Sequence, residues 1–294
     1  MRRSALLIPC LAVSALTVAP DAPAAPASPA PVWSDPEGDA ARTLLENVSG
    51  AIVTVKFVLR SSGGGGENEQ QREVSGVMIE DSGLVLTSNL LMGGVPEAVK
   101  RRARVRNTAK DIKVLIDDDT EGVDAKLVAR DSELDLAWVR IVKPEGKYKA
   151  VDFTKSASAQ AGDRVMVVER LGRYHDRQAT VDTARVRAVL SRPRRLFLVQ
   201  GDISENWGLP FFNIKGEVIG LASLQLPSQE ELDADRDDPK PVWQSVVLPA
   251  SVVVRATEQA KESERAGKPV DEEPPAEDPA PADEPAAGGD APPR

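Results

Sequence analysis

The sequence predicts an all-β domain made of two antiparallel β-barrels. The middle of the 294-residue chain breaks into about a dozen short apolar segments of strand length, bounded by Gly, Asp, Ser and Pro. These segments fall into two groups, separated by a connection over residues 143–161 with no strand pattern. Helical periodicity shows only at the two ends of this region.

Ser34 or Asp35 can cap an opening helix, Pro36 suits its first turn, and Leu44, Leu45 and Val48 form its apolar stripe. Ala51 to Leu59 then alternates as a strand. Val74–Ile79 and Leu84–Thr87 flank the turn Glu80-Asp81-Ser82-Gly83. Ile112–Ile116 and Ala125–Ala129 flank a second turn over 117–123, and Leu136–Val142 completes the first group. The second group comprises Arg164–Glu169, Thr180–Leu190, Leu196–Gln200, Pro210–Asn213, Glu217–Ser223 and Trp243–Leu248. A closing helix starts at Pro249 and presents Val252, Val253 and Ala256 on one face. Gly63 to Gly66, within 61–72, reads as a flexible hairpin loop, because no helix pattern or phosphate-binding lysine follows the glycines. The polar, acidic stretch 225–241 reads as an inserted surface loop.

Both ends differ in composition from the middle. Met1 to Ala19 carries two arginines and then an apolar run, and an Ala/Pro stretch follows. This predicts a secretory signal peptide over 1–27, with small-residue cleavage options after Ala24 or Ala27. The run is too short to span a bilayer comfortably, so no stable membrane insertion is expected after cleavage. The expected location is periplasmic or extracellular. Residues 28–40 read as an Ala/Pro linker and 41–265 as the β domain, with barrels at about 50–143 and 160–250. Residues 266–294 are mostly Pro, Ala, Asp and Glu. Such a segment cannot bury enough apolar surface to offset its chain entropy, which predicts disorder.

Composition excludes several chemistries. Cys10 is the only cysteine, Pro9 before it suits lipid attachment poorly, and signal cleavage removes it. His175 is the only histidine, so no multi-histidine metal site can form. No cofactor or metal is expected. The net charge of −9 belongs mainly to residues 271–294, where eight Asp/Glu and one Arg leave −7. Two basic clusters, Lys100-Arg101-Arg102 with Arg104 and Arg106, and Arg192 to Arg195, could in principle meet nucleic acid. An exported, acidic chain with few aromatics argues against that; solvated loops, or docking of the acidic tail, fit better.

The most informative stretch runs from Ser204 to Gly220, SENWGLPFFNIKGEVIG. It resembles the nucleophile segment of the HtrA serine proteases of the trypsin fold, G-N-S-G-G-P-L followed by G-E-V-I-G. Asn206, Gly208, Pro210 and Gly216 to Gly220 fit that pattern, and Trp207 stands where the serine belongs. Five further segments resemble the family in order: 41–55, 74–92, 112–141 and, more weakly, 180–190 and 246–253. The resemblance implies two six-stranded barrels of the trypsin-like fold. The family's PDZ domains have no counterpart in the low-complexity residues that follow the last helix.

Family chemistry needs a histidine base, an aspartate that orients it, a serine nucleophile and an oxyanion hole of backbone N–H groups. The resemblance puts Leu90 at the histidine position, Asp135 at the aspartate and Trp207 at the serine. Leucine accepts no proton, and indole has one donor and no nucleophilic lone pair. Glu205 replaces a glycine two positions before the serine, Leu209 replaces the second glycine after it, and the loop ahead of Trp207 is short. The oxyanion loop, with Glu205, Asn206 and Gly208, is therefore altered, and Asp135 is expected to survive as a structural carboxylate bonded to backbone N–H groups or water. Trp207 is expected to plug the vacated site.

Three functions follow. The first is a catalytically inactive homologue that binds a peptide or protein partner, or regulates protein quality control in the cell envelope. The second is an active endopeptidase with a displaced set such as Ser204, His175 and Asp176, with Ser88 beside Leu90 as another hydroxyl. The third is a structural envelope protein.

Overall fold

The computed structural model describes residues 35–63, 66–95, 106–192, 194–225, 244–268 and 270. The signal peptide and Cys10, almost all of the tail, most of the cluster at 100–106, Pro193 and nearly all of the loop at 225–241 lie outside the described residues.

Helix α1, Pro36–Val48, opens the domain. Its N-cap is Asp35, whose carboxylate accepts the N–H of Glu37 at 3.1 Å. The helix thus begins inside the stretch read as linker, because an Asp-Pro pair starts a helix well. Ala41 and Leu44 are its buried positions.

Six strands build the first barrel: β1 Ile52–Gly63, β2 Gly66–Glu80, β3 Leu84–Ser88, β4 Arg106–Leu115, β5 Val123–Asp131 and β6 Leu136–Ile141. They close in the order β1-β2-β3-β6-β5-β4. The second barrel contains β7 Arg164–Arg170, β8 Ala179–Leu190, β9 Leu196–Val199, β10 Pro210–Asn213, β11 Val218–Gln225 and β12 Gln244–Pro249. It closes as β10-β11-β12-β9-β8-β7. Helix α2, Ala250–Arg265, follows β12 directly and buries Val253, Ala256, Thr257 and Ala260, while Val252 stays half-buried. Among the described residues no helix is long and apolar enough to cross a membrane.

Alternation explains the barrels. On β1, Val53, Val55, Phe57 and Leu59 point inward and are buried, whereas Lys56, Val58 and Arg60 between them are half-exposed. The stretch 61–72 differs from the flexible loop expected of it. β1 pairs with β2 without a break from Ile52↔Val77 out to Gly63↔Gly66, so the hairpin is strand almost to its tip. Ser, Asn, Gln and Glu carry no apolar pattern to announce a strand. Cross-strand pairing holds them there, including the Arg60–Glu67 ion pair.

Two buried-side arginines bind the barrels together. Arg170 on β7 donates to the carbonyls of Ile52 at 2.6 Å and Ser49 at 2.8 Å in the first half, to Arg177 O at 3.1 Å, and to Asp117 Oδ1 at 2.6 Å. Arg177 in turn pairs with Glu73 on β2, at 3.1 Å to both oxygens. On the other side, α2 crosses onto the first barrel. Trp138 Nε1 donates to Thr257 Oγ1 at 3.1 Å, and Arg140 meets Glu264 at 2.9 Å.

Candidate functional site

The residues singled out by the sequence meet where the two barrels touch. Asp135 precedes β6 with φ +58°, a left-handed conformation that Asp tolerates better than most residues. That turn aims its carboxylate at the end of β3. Oδ1 accepts the N–H of Leu90 at 2.7 Å, and Oδ2 accepts the N–H of Leu224, from β11 of the other barrel, at 3.2 Å. The hydroxyl of Ser88 donates to the same group, 3.0 and 2.9 Å from its two oxygens. Asp135 is 5% exposed and Ser88 is fully buried. Burial pushes the Asp135 carboxyl up to about 6, although the Leu90, Leu224 and Ser88 hydrogen bonds work in the opposite direction.

Trp207 approaches from the second barrel. A 3-10 turn over Ser204–Asn206 leads into it, started by Asp202, whose carboxylate accepts the N–H of Ser204 at 2.9 Å. Gly208 follows with φ +84°, and its N–H donates to Ala222 O at 2.8 Å. A Cβ on Gly208 would lie 2.6 Å from Ser88 N and 3.0 Å from the Thr87 backbone. The Trp207-Gly208 step is therefore pressed against the strand end that carries Ser88 and leads to Leu90. The indole itself turns away: Trp207 Nε1 donates to Ser245 Oγ on β12 at 3.2 Å. Trp207 is half-buried, so it roofs the junction rather than filling it as a sealed plug.

A model of the trypsin-like peptidase domain family matches residues 74–221. The chain belongs to this family. Its curated relatives include probable periplasmic serine endoproteases described as DegP-like. That of Ectopseudomonas mendocina is 30% identical over 165 residues, covering 54% of this chain and 31% of the relative. That of Rhizobium meliloti is 30% identical over 165 residues, covering 55% and 30%. That of Brucella suis is 30% identical over 150 residues, covering 50% and 26%. The chain thus spans about a third of the length of these relatives. Among solved structures, an HtrA-type protease with decapeptide superposes with a TM-score of 0.53 at 14% identity, over 76% of this chain and 67% of that one; this likeness is one of fold.

Within this trypsin-like peptidase domain, Leu90, Asp135 and the Trp207 segment are brought together, and the displaced set is not. His175 is exposed on a 3-10 turn between β7 and β8, as is Asp176 beside it. Among the described residues no hydrogen bond joins His175 to Ser204.

Two features of the site escaped sequence reasoning. The first is the Ser88–Asp135 bond, whose only sequence trace is a serine two residues before Leu90. The second lies under the short loop, where Asn206 is buried and its Nδ2 donates to Glu169 Oε2 on β7 at 2.8 Å. Burial, and then the charges of Asp182 and Glu205, raise the Glu169 carboxyl above its ordinary range. Glu205 itself is exposed on the loop surface. The loop is thus anchored from below and carries negative charge, the wrong sign for stabilising a developing oxyanion. Among the described residues no cluster of His, Cys, Asp or Glu is arranged to hold a metal.

Proposed function

We propose that this chain is an exported HtrA-like protease homologue that has lost peptidase chemistry and works by binding a peptide or protein partner, as a regulator of protein quality control in the cell envelope. The observation that carries this reading is the occupancy of Asp135. Its two oxygens take the N–H groups of Leu90 and Leu224 and the hydroxyl of Ser88, and the side chain at Leu90 has no atom that can accept a proton. At Trp207 the polar atom is a donor already bonded to Ser245. Among the described residues the hydroxyl that meets Asp135 is that of Ser88. Ser88 has a carboxylate partner but is sealed from solvent.

Binding is supported by the retained double-barrel fold, since proteases commonly take peptides by strand addition. Export is supported by the signal-like residues 1–27 and by relatives described as periplasmic.

Labelling with a fluorophosphonate tests the loss of chemistry. No labelling is expected in the full chain, and labelling that disappears in Ser204→Ala would overturn the proposal. Co-purification from native envelope separates a regulator from a passive scaffold: an active protease in stoichiometric amount is expected.

A further inference from the structure

The outer face of the first barrel carries a row of cations with no assigned task. Its register places them. Lys56 on β1 stands opposite Lys113 on β4, Val58 opposite Lys110, and Ser62 opposite Arg106. Lys113 stands opposite Asp124 on β5, and Lys126 lies two residues further along the same face of β5. Acidic partners are unevenly shared. Lys113 pairs with Asp124 at 3.7 Å, and Lys126 with Glu264 at 3.7 Å. Glu67 and Glu69 on β2 attend Arg60, and Glu73 attends Arg177. Among the described residues Lys56 and Lys110 form no ion pair.

We infer that residues 271–294 of this same chain, the acidic segment, dock in cis on this face. Charge and reach favour that occupant. The segment carries eight carboxylates and one arginine. The Lys126–Glu264 pair places the last turn of α2 on the outside of β5, next to β4 in the barrel. Crossing from β5 over β4 to β1 spans two strand spacings, roughly 10 Å. The chain stays wound as far as Lys268, whose N–H donates to Ser263 O, and the three residues from there to Asp271 extend to about 10 Å. The first carboxylates therefore reach Lys113, and later ones reach Lys56 and Lys110 along β4. Single exposed charge contacts are weak. Tethering raises the local concentration of the segment to roughly millimolar, so several weak contacts suffice. The glutamates on β2 keep the segment on the β4 side. Screening shortens with salt, so docking belongs to low and physiological ionic strength.

Zero-length carbodiimide coupling tests this, because it joins a lysine amine only to a carboxylate in contact with it. The full chain is treated at about 0.05 M and about 0.5 M salt, with an equal mixture of heavy-isotope and ordinary protein, and analysed by peptide mass spectrometry. The Lys113–Asp124 and Lys126–Glu264 pairs report that the barrel is folded and the reagent active. Expected are links from carboxylates within 271–284 to Lys56 and Lys110, within one isotopic chain. They should fall by roughly fivefold at the higher salt, and tail links to Lys113 should fall by a similar factor in the double variant Lys56→Glu, Lys110→Glu. Tail links absent while the two control pairs form would overturn the inference. So would tail links that mix isotopes and rise with concentration, since those assign the face to a second copy.

Discussion

The N–H of Leu90 donates to Asp135 Oδ1 at 2.7 Å, so the aspartate is oriented by the backbone of a residue whose side chain offers it nothing. This bond, together with those from Leu224 and Ser88, makes Asp135 part of the joint between barrels rather than a waiting partner for a base.

Asp135 should make stability depend on pH in an unusual direction. Its folded value of about 6 lies above the ordinary 3.8, so the folded chain holds a proton that the unfolded chain has released. Stability from this group therefore grows as pH falls from about 7 towards 4, and is lost as pH rises through about 6, with a full span of ~3 kcal/mol. Other carboxylates, such as Glu80 with its lowered value beside Lys261 and Arg140, act in the opposite direction. The comparison with Asp135→Asn isolates the effect. In urea unfolding at pH 7 and pH 4.5, the native chain should gain relative to the variant at the lower pH.

Trp207→Ser should restore no peptidase activity. The new hydroxyl would meet no general base, because Leu90 supplies none and the only histidine sits on an exposed turn. Turnover of a fluorogenic casein by this single variant would contradict the proposed function. Loss of the half-buried indole and its bond to Ser245 should cost about 1–3 kcal/mol, read as a lower urea midpoint.

Gly208→Ala should strain the joint twice over. Left-handed φ disfavours alanine, and its Cβ would sit 2.6 Å from Ser88 N, in rigid backbone that cannot swing aside. A loss of about 2–4 kcal/mol is expected by denaturant unfolding.

Arg170→Lys should destabilise despite keeping the charge. The guanidinium divides its donors among Ile52 O, Ser49 O, Arg177 O and Asp117, and an ammonium cannot reproduce that fork. Loss of about 2–4 kcal/mol is expected, visible as a lower midpoint in thermal unfolding. Because the bonds cross between barrels, near-ultraviolet circular dichroism should change while far-ultraviolet strand content holds.

Local pattern carried the strands well where one face is apolar. β1 alternated visibly over Ile52 to Leu59, and β3 and β6 read as apolar runs. Past Leu59 the same strand became illegible, since a two-sided polar hairpin has no period to betray it. The site was legible as positions rather than as geometry. Leu90, Asp135 and Trp207 were singled out from resemblance and Ser88 only as a spare hydroxyl, while the Ser88–Asp135 and Asn206–Glu169 bonds were not foreseen, because the partners lie 47 and 37 residues apart.

By itself, then, the sequence determined which functional groups exist: one histidine, leucine and tryptophan where a base and a nucleophile would be needed, and strands enough for two barrels. Tertiary structure alone decided what those groups face. It turned the Trp207 N–H to Ser245, filled Asp135 with donors from both barrels, and set the last turn of α2 beside a row of lysines. Each of those contacts joins segments far apart in the chain: closure of the second barrel brings Trp207 to Ser245, closure of the first brings Ser88 and Leu90 to Asp135, and packing of the two barrels adds Leu224.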